Sequence, residues 1–514
     1  MVLSEDPDAP GPAGSFRTLP DAADFRHPEW NPRGLFNFRF EFGSCNNQNP
    51  RHSVGPSLPA FKTMLDRLQD KVYFSILNGD WLYEDKREFT AGEWRAQVGI
   101  AAGATPRVVR LAPTIVGVWE NYKFFLERGP NLAAFHRHFP SYFTPDDHEI
   151  LNDVYGTATA GRRDRRAVFR DIGMQAWYDY VAGSNPVEFS QPIRFGRAQL
   201  TRGSDLLLDE DADFSRLDLA QASNLHVHWG GPNAGVDAAK FDREPGDPNA
   251  GVYDIVSIVD PKRLRIRPAA RADGSPAYSI GRLSYFKFRV SNADFYLLDT
   301  RSHRDLHDTR DPRRPGTSMI GPRQRQWLME NMARSDADFF FIASSVNLMI
   351  PHVGAPDASG AVAGKDDGWT AFLDEREQLI RFWDSLNKPV LIMTGDLHNS
   401  FVIKVTERVW EFASGPHNSQ NHPASSEGNR PPSGRYDSRG RAAEIRWSSF
   451  IRDDVPPDLR KWPLYAVAQI NNVFPNPGPG GRARWVQYPR PQVVVQYYDG
   501  MSGELLYAEA MAAR

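Results

Sequence analysis

The chain has 514 residues, of which 40% are hydrophobic, 24% charged and 12% aromatic. These values are ordinary for a folded protein with a large buried core, and they argue against disorder over most of the chain. The formal net charge is −3, from 61 basic and 64 acidic residues. This balance contains no nucleic-acid-binding signature, because proteins held to nucleic acid by bulk charge carry a basic excess.

The compartment is predicted from the cysteine count and the first residues. Cys45 is the single cysteine, so no internal disulfide forms. The first 30 residues contain no apolar signal-peptide core and no twin-arginine run, and no apolar run reaches the length of a transmembrane span. We therefore expect a cytoplasmic protein, although a trimmed periplasmic or secreted chain would show the same features.

Short apolar runs predict buried strands, and amphipathic runs predict helices between them. Residues 1–35 are rich in Pro, Asp and Gly without periodicity and indicate an irregular N-terminal arm. The elements that follow are a strand over 36–42, a helix over 59–68, strands over 72–77 and 140–144, a helix over 166–180, a strand over 295–298, a helix over 322–332, a strand over 339–343, a helix over 370–386 and a strand over 390–393.

Three further segments complete the predicted organisation. Alternating patterns at about 185–290 indicate a β-rich insertion. The polar stretch 415–442 indicates a long loop or disordered insertion, and residues 493–509 indicate a closing β-hairpin. Chemically reactive side chains follow several of the predicted strands, and sites in open α/β sheets assemble beyond the carboxyl ends of strands. We therefore expect Cys45, Asp80, Asp147, Asp396 and His398 to share one cleft.

Two acidic clusters are the first candidates for metal ligands. Asp80, in Gly79-Asp80-Trp81-Leu82-Tyr83, could bridge two metal ions, and the residue three positions later could return to the same ion. Asp146-Asp147-His148-Glu149 offers carboxylates and an imidazole, which suit Fe, Mn, Zn and Ca. Helix capping is the alternative in both places: Asp80 would cap a helix at 80–83, and Asp146 or Asp147 a helix starting near His148.

The motif Gly395-Asp396-Leu397-His398 places a carboxylate and an imidazole two residues apart, on the same side of an extended chain. Both can reach one pair of ions, and the alternative is a turn aspartate with an ordinary histidine. Cys45 follows a strand, where a thiolate beside trivalent iron is chemically sensible. A lone buried cysteine is, however, usually a small hydrophobic residue.

Two other pairs have weaker chemical signals. His226 and His228 share one face of a β-run, and because no carboxylate is local we favour a core or rim role over metal binding. Arg301 and Arg304 follow a strand and could hold a phosphate bidentately, with surface ion pairing as the alternative. The patterns GxxxxGK[ST], GxGxxG and GxSxG are absent from their expected positions, which disfavours nucleotide-driven phosphoryl transfer and serine-hydrolase chemistry.

Taken in order, the motifs resemble the PhoD-like alkaline phosphatase D family of the metallophosphoesterase superfamily. The matching motifs are Gly43-Ser44-Cys45, Gly79-Asp80-x-x-Tyr83, Asp146-Asp147-His148-Glu149, Asp299-Thr300-Arg301, Gly321-x-x-Gln324-x-x-Trp327-Leu328, Asp367-Gly368-Trp369 and Gly395-Asp396-x-His398. Each motif is short, but the ordered set over about residues 36–415 is hard to obtain by chance. The resemblance implies an α/β fold, the calcineurin-like four-layer αββα sandwich, in one domain over 36–514.

The resemblance also implies a centre of Fe³⁺ with Ca²⁺, and Zn²⁺, Mn²⁺ or Mg²⁺ are further ions for such a site. Cys45, Asp80 and Tyr83 would bind the iron, and Asp80 would also bridge to the second ion, on the calcium side. The implied metal ligands are Cys45, Asp80, Tyr83, Asp147, Asn152, Asp396 and His398.

We therefore predict a metal-dependent phosphoester hydrolase, a phosphatase or phosphodiesterase acting on a small-molecule or polymeric phosphoester. Metal ions would activate water, His148 would protonate the leaving oxygen and Arg301 would orient the phosphate. One alternative is a cysteine hydrolase that uses Cys45 with His148 or His398 as base. The other is a non-catalytic calcium-stabilised binding protein. The sequence does not determine the oligomeric state.

Overall fold

The computed structural model describes residues 13–83, 89–228, 246–353, 365–478 and 483–513. The strands in chain order are β1 (Phe38–Gly43), β2 (Phe74–Asn78), β3 (Ser141–Thr144), β4 (Arg194–Arg197), β5 (Gln199–Leu200), β6 (Leu206–Leu208), β7 (Ala222–Val227), β8 (Gly251–Asp260), β9 (Arg263–Arg267), β10 (Ala277–Arg282), β11 (Phe286–Val290), β12 (Ala293–Leu297), β13 (Phe339–Ala343), β14 (Val390–Thr394), β15 (Phe401–Lys404), β16 (Val409–Ala413), β17 (Gly434–Asp437), β18 (Ala442–Ser448), β19 (Leu464–Pro477), β20 (Ala483–Asp499) and β21 (Leu505–Ala512). The helices are α1 (Ala22–Phe25), α2 (Pro59–Leu68), α3 (Ala91–Val98), α4 (Arg107–Leu111), α5 (Ile115–Arg128), α6 (Pro130–His138), α7 (Asp147–Ile150), α8 (Arg165–Val168), α9 (Arg170–Tyr180), α10 (Gly321–Arg334) and α11 (Leu373–Ser385).

Two mixed sheets form the centre of the molecule. The six-stranded sheet has the order β21-β20-β19-β1-β2-β3, and the eight-stranded sheet has the order β11-β12-β13-β14-β16-β15-β18-β17. β1, β2 and β3 are parallel in the first sheet, and β12, β13, β14 and β16 are parallel in the second. The carboxyl ends of each parallel set therefore lie on a common edge of its sheet.

A phenylalanine-rich layer packs the two sheets face to face. The Phe40 ring lies 5.2 Å from those of Phe74 and Phe341 and 5.1 Å from that of Phe295. Alternate residues of the same strands face outward, where α2, α5, α6 and α9 cover the first sheet and α10 and α11 cover the second. This alternation is what buries both faces of a sheet, and it confirms the predicted four-layer αββα sandwich.

The predicted β-rich insertion contains a separate antiparallel sheet of seven strands, in the order β4-β10-β7-β8-β9-β6-β5. It has an apolar cluster of its own. β11, inside the predicted bounds, belongs instead to the eight-stranded sheet, where it pairs with β12. The short stretch between β10 and β11 therefore returns the chain to the main sandwich.

Several predicted boundaries need correction. The predicted helix over 166–180 is two helices, α8 and α9, and the closing hairpin is longer than predicted because β20 begins at residue 483. The segment 415–442 is not a disordered insertion: it contains β17, and residues 417–419 are fully buried. In the predicted arm, α1 is the one regular element among its described residues, and residues 1–12 lie outside them. None of the described helices is long and apolar enough to cross a membrane.

Candidate metal centre

The loops that follow β1, β2, β3 and β14 bring the predicted ligands together at one end of the sandwich. Donor atoms of Cys45, Asp80 and His398 all lie within 4.8 Å of one another, and those of Asp80, Asp146, Asp147 and Asp396 do the same. Asp80 belongs to both groups. We call Cys45, Asp80, His398 and the adjacent Tyr83 the mixed-donor side, and Asp80, Asp146, Asp147 and Asp396 the carboxylate side.

The backbone at the ligands is held in an unusual conformation. The φ angles are +65° at Cys45, +55° at Asp80, +63° at Asp396 and +54° at His398. Non-glycine residues rarely adopt this left-handed region, and such strain concentrates at functional sites. At Gly79, with φ +86°, a Cβ atom would lie 2.5 Å from Cβ of Asp146, so this turn requires glycine.

Hydrogen bonds orient the side chains of the mixed-donor side. The Tyr83 hydroxyl lies 3.0 Å from Asp80 Oδ2 and 3.0 Å from His398 Nε2, and it accepts a hydrogen bond from Ser419 Oγ at 3.1 Å. Nδ1 of His398 lies 2.9 Å from the Gln420 carbonyl oxygen and therefore carries the proton. Nε2 then directs its lone pair into the site, which is the usual arrangement of a metal-binding histidine.

Arg301 lies among the acidic side chains and has no exposed surface. Its Nε is 2.5 Å from Asp146 Oδ1, and its Nη1 is 2.6 Å from Asp367 Oδ2. Nη2 is 3.6 Å from Asp396 Oδ1 and 4.0 Å from Asp147 Oδ1. One guanidinium thus neutralises part of the charge of the carboxylate side, and only Nη2 keeps its hydrogens free of a described acceptor.

Several buried carboxylate oxygens accept no hydrogen bond from the described residues: Asp80 Oδ1, Asp146 Oδ2, Asp147 Oδ1 and Asp367 Oδ1. Burial raises the pKa of Asp80, and the charges of Asp146 and Asp147 raise it further against the opposing effect of His148. A buried acceptor without a partner is costly, and cations relieve that cost. Thiolate, phenolate, imidazole and carboxylate are all metal ligands, so the residues present fit metal ions.

Comparison with known proteins identifies the family. The model of the PhoD-like phosphatase family matches residues 40–210 and 266–450, which is more than half of the chain. The chain belongs to the PhoD-like phosphatase family. Alkaline phosphatase D of Bacillus subtilis (strain 168) is 31% identical over 127 residues, which are 23% of this chain and 21% of that protein. The matched part thus spans about a fifth of that relative's length. Family membership confirms the predicted resemblance and implies bound metal ions.

Solved structures show weaker similarity. A structure of PhoD aligns with a TM-score of 0.48 at 16% identity, covering 98% of this chain and 74% of that one. Purple acid phosphatase PPD1 from yellow lupin (Lupinus luteus) seeds aligns with a TM-score of 0.39 at 10% identity, covering 94% and 55%. A dimetal phosphatase from Danio rerio aligns with a TM-score of 0.36 at 10% identity, covering 93% and 99%.

In this member of the PhoD-like family, helix capping coexists with the cluster. Asp146 is the N-cap of α7, and the Glu149 carboxylate accepts hydrogen bonds from the backbone N–H groups of Asp146, Asp80 and Leu82 at 2.7, 3.1 and 3.1 Å. Glu149 therefore ties the β2 loop to the β3 loop. The alternative that Asp80 caps a helix is wrong, because residues 81–83 form no helix.

The predicted catalytic histidine and the predicted amide ligand lie nearby. The His148 ring is 4.0 Å from the Tyr83 ring, and a nitrogen of His148 lies within 4.8 Å of donor oxygens of Asp80 and Asp147. The Asn152 amide nitrogen is 3.4 Å from Asp153 Oδ2. The roles assigned to His148 and Asn152 stay predictions.

Sequence reasoning did not select three residues that adjoin the carboxylate side. Donor atoms of His352, Asp367 and Asp396 form one further group, and those of Asp147, Asp153 and Asp367 form another. Asp367 opens one of the matching motifs and Asp153 lies four residues after Glu149, so their carboxylates could have been selected. His352 follows an apolar run with no local pattern that indicates a ligand.

Proposed function

We propose that the protein is a metal-dependent phosphoester hydrolase. The observation that supports this most directly is the position of Asp80, whose carboxylate belongs to both donor groups. A carboxylate between two ions about 3.5–4 Å apart is the core of a two-metal hydrolytic site. The substrate would be a phosphoester, as expected for the family.

We further propose different ions for the two sides. Cys45, Tyr83 and His398 offer sulfur, phenol oxygen and nitrogen, and this set suits Fe³⁺. The carboxylate side offers only oxygen donors, which suit Ca²⁺. Asn152, five residues after Asp147, would add an amide oxygen. Zn²⁺, Mn²⁺ and Mg²⁺ are the other ions that these donors accept.

Bound metal ions would supply Lewis-acid activation of water and of the phosphoryl oxygens. Asp80 would bind an ion on each side of the centre. His148, beside Tyr83 and Asp80, would donate a proton to the leaving-group oxygen. Arg301 would fix Asp146 and Asp367 and direct the hydrogens of Nη2 towards a phosphoryl oxygen.

The cysteine-hydrolase alternative has less support. The Cys45 side chain is fully buried. Burial raises the pKa of the Cys45 thiol, and the negative charge of Asp80 raises it further. Nucleophilic cysteines are instead partly exposed and have a lowered pKa.

Elemental analysis of the purified protein, paired with assays on a chromogenic phosphomonoester and a chromogenic phosphodiester, tests the proposal. We expect two kinds of ion in stoichiometric amounts and hydrolysis of at least one substrate, which chelation abolishes and metal restores. Hydrolysis that survives chelation but not alkylation of Cys45 would favour the cysteine hydrolase. Metal binding that raises the melting temperature, without hydrolysis of either substrate at any pH, would favour the binding protein.

A further inference from the structure

A loop outside the metal centre connects Arg301 to the seven-stranded sheet. We call residues 156–162 the bridging loop. On one side, Thr157 Oγ1 donates a hydrogen bond of 2.5 Å to the backbone carbonyl of Arg301. On the other, Gly161 N–H donates to the Val252 carbonyl of β8 at 2.7 Å. The backbone that carries Arg301 is therefore attached, through the five residues from Thr157 to Gly161, to the insertion sheet.

His226 of β7 contacts the bridging loop and the side chain of Asp171. Its Nε2 lies 3.1 Å from the backbone carbonyl oxygen of Thr157, and its Nδ1 lies 2.9 Å from Asp171 Oδ2. Both ring nitrogens thus face hydrogen-bond acceptors. His226 and Asp171 have no exposed surface, and we call this buried contact the ion pair. The sequence favoured a core or rim role for His226, and the residue lies in the core.

Asp171, in turn, is fixed by neighbours on α9 and β10. Arg170 Nη1 donates to its Oδ1 at 2.5 Å, and Ser279 Oγ donates to its Oδ2 at 2.7 Å. At Gly281, a Cβ atom would lie 1.7 Å from Arg170 Nη1 and 2.4 Å from Asp171 Oδ1, so only glycine allows β10 to approach the pair this closely. The ion pair therefore joins α9 of the sandwich to two strands of the insertion sheet.

We propose that His226 and Asp171 are positioning residues for Arg301. Their ion pair fixes the Thr157 carbonyl, and the Thr157 hydroxyl fixes the Arg301 carbonyl, from which the guanidinium reaches Asp146 and Asp367. The seven-stranded sheet thus helps to set the geometry of the carboxylate side. This inference rests on the proposed hydrolytic function.

The competing explanation is that the ion pair only stabilises the insertion sheet. Replacing buried ion pairs with apolar residues is often neutral for stability, so stability alone does not explain the pair. A positioning role has a different consequence. Small displacements of catalytic groups reduce kcat much more than they reduce the stability of the fold. The two explanations therefore differ in how hydrolysis responds to changes in Thr157.

The first test changes only the hydroxyl that contacts Arg301. Thr157→Val keeps the shape of the side chain and should lower kcat/KM about ten-fold or more, mainly through kcat. Thr157→Ser keeps the hydroxyl and should restore most of that loss. Thr105→Val is the matched control, because it removes the hydroxyl of another buried threonine, which donates a hydrogen bond of 2.7 Å to the Ala102 carbonyl outside the path to Arg301. Equal kinetics for folded Thr157→Val and wild-type protein would overturn the proposal.

The second test is a double-mutant cycle with His226→Gln and Arg301→Lys. If His226 acts through Arg301, its substitution should reduce kcat/KM in the wild-type background and have little further effect in the Arg301→Lys background. Additive losses would overturn the proposal.

A crystal structure of Thr157→Val separates this inference from the proposed function. We expect the Arg301 guanidinium to lose its contact with Asp146 or Asp367, and an unmoved guanidinium would overturn the proposal even if the wild-type enzyme is active. Wild-type protein that hydrolyses no phosphoester would contradict the proposed function, while the displacement of Arg301 would still decide the positioning role.

Discussion

The two sides of the metal centre share Asp80 but are built differently. On the mixed-donor side neutral groups contact three of the donors: the Gln420 carbonyl contacts His398, the Ser419 hydroxyl contacts Tyr83, and Ser44 Oγ lies 3.2 Å from the sulfur of Cys45. On the carboxylate side the donors are all carboxylates, and the orienting group is the charged guanidinium of Arg301.

With the proposed assignment of ions, this difference would let one small volume hold unlike ions. Arg301 supplies positive charge of its own, and together with His148 it lowers the pKa of Asp147 against the effect of burial. On the mixed-donor side, burial raises the pKa of both Cys45 and Tyr83, and the negative charge of Asp80 raises both further. The carboxylate side is therefore partly neutralised by the protein, whereas the mixed-donor side depends on the ion that it binds.

Asp80→Asn removes the residue that both sides share, so it should have the largest effect. We expect loss of both ions and a fall in kcat/KM of at least about 100-fold, because the site loses its bridging charge. Elemental analysis and a phosphomonoester assay measure the two effects. Asp209→Asn, at a buried carboxylate of the insertion sheet that accepts from the Tyr278 hydroxyl at 2.8 Å, is the control and should keep both ions. Loss of one ion alone would show that Asp80 does not bridge.

Arg301→Lys should separate the two sides. Lysine keeps the charge but cannot reach Asp146 and Asp367 together, so activity and the Ca²⁺ affinity of the carboxylate side should fall about 10–100-fold. The iron content of the mixed-donor side should stay unchanged. Isothermal titration with Ca²⁺ and elemental analysis provide the measurements, and parallel loss of iron would contradict the division into two sides.

Much of the fold followed from local patterns in the sequence. The helix over 59–68 and the strand over 339–343 have the predicted bounds, because a single amphipathic face and a continuous apolar run each specify one structure. The helix over 166–180 is interrupted at Phe169, whose backbone N–H bonds to the Arg166 carbonyl three residues back, although the apolar periodicity continues. Apolar periodicity shows which face of a helix is buried. It does not reveal a break in the helix when the same face stays buried on both sides of the break.

The predicted ligands converged because they follow parallel strands, and a sheet brings such positions to one edge whatever their separation in sequence. His352 and the segment containing Ser419 and Gln420 could not be found in this way. They come after strands too, but their roles depend on which loop folds back over the site. The polar composition of 415–442 predicted a long loop or disordered insertion, whereas some of its polar side chains, including Asn418 and Ser419, are buried and hydrogen-bonded within the protein.

Tyr83→Phe should change metal binding on the mixed-donor side alone. The variant keeps the ring that packs on His148 but loses the phenol oxygen, so activity should fall about ten-fold. If Tyr83 binds ferric iron, the visible charge-transfer band of the wild-type protein should disappear. Tyr497→Phe, at a buried tyrosine that donates to the Phe401 carbonyl at 3.3 Å, should keep the band. An active, colourless and iron-free wild-type enzyme would contradict this assignment.

The smallest effect is expected at Glu411, a buried residue of β16 outside both donor groups. Burial raises the pKa of Glu411 to about 7, although its carboxylate accepts hydrogen bonds from the N–H groups of Leu348 and Met349 and from the Thr394 hydroxyl. Because the folded pKa exceeds the unfolded one, the contribution of Glu411 to stability is greatest at low pH and is lost as pH rises through 7.

Glu411→Gln cannot titrate, so the wild-type protein should lose about 2 kcal/mol of stability relative to the variant between pH 5 and pH 8. Denaturant unfolding of both proteins at the two pH values measures this change. A stability difference that does not vary with pH would mean that Glu411 stays ionised in the folded protein. In that case the N–H groups of Leu348 and Met349 would stabilise its charge more than burial opposes it, as Arg301 and His148 do for Asp147.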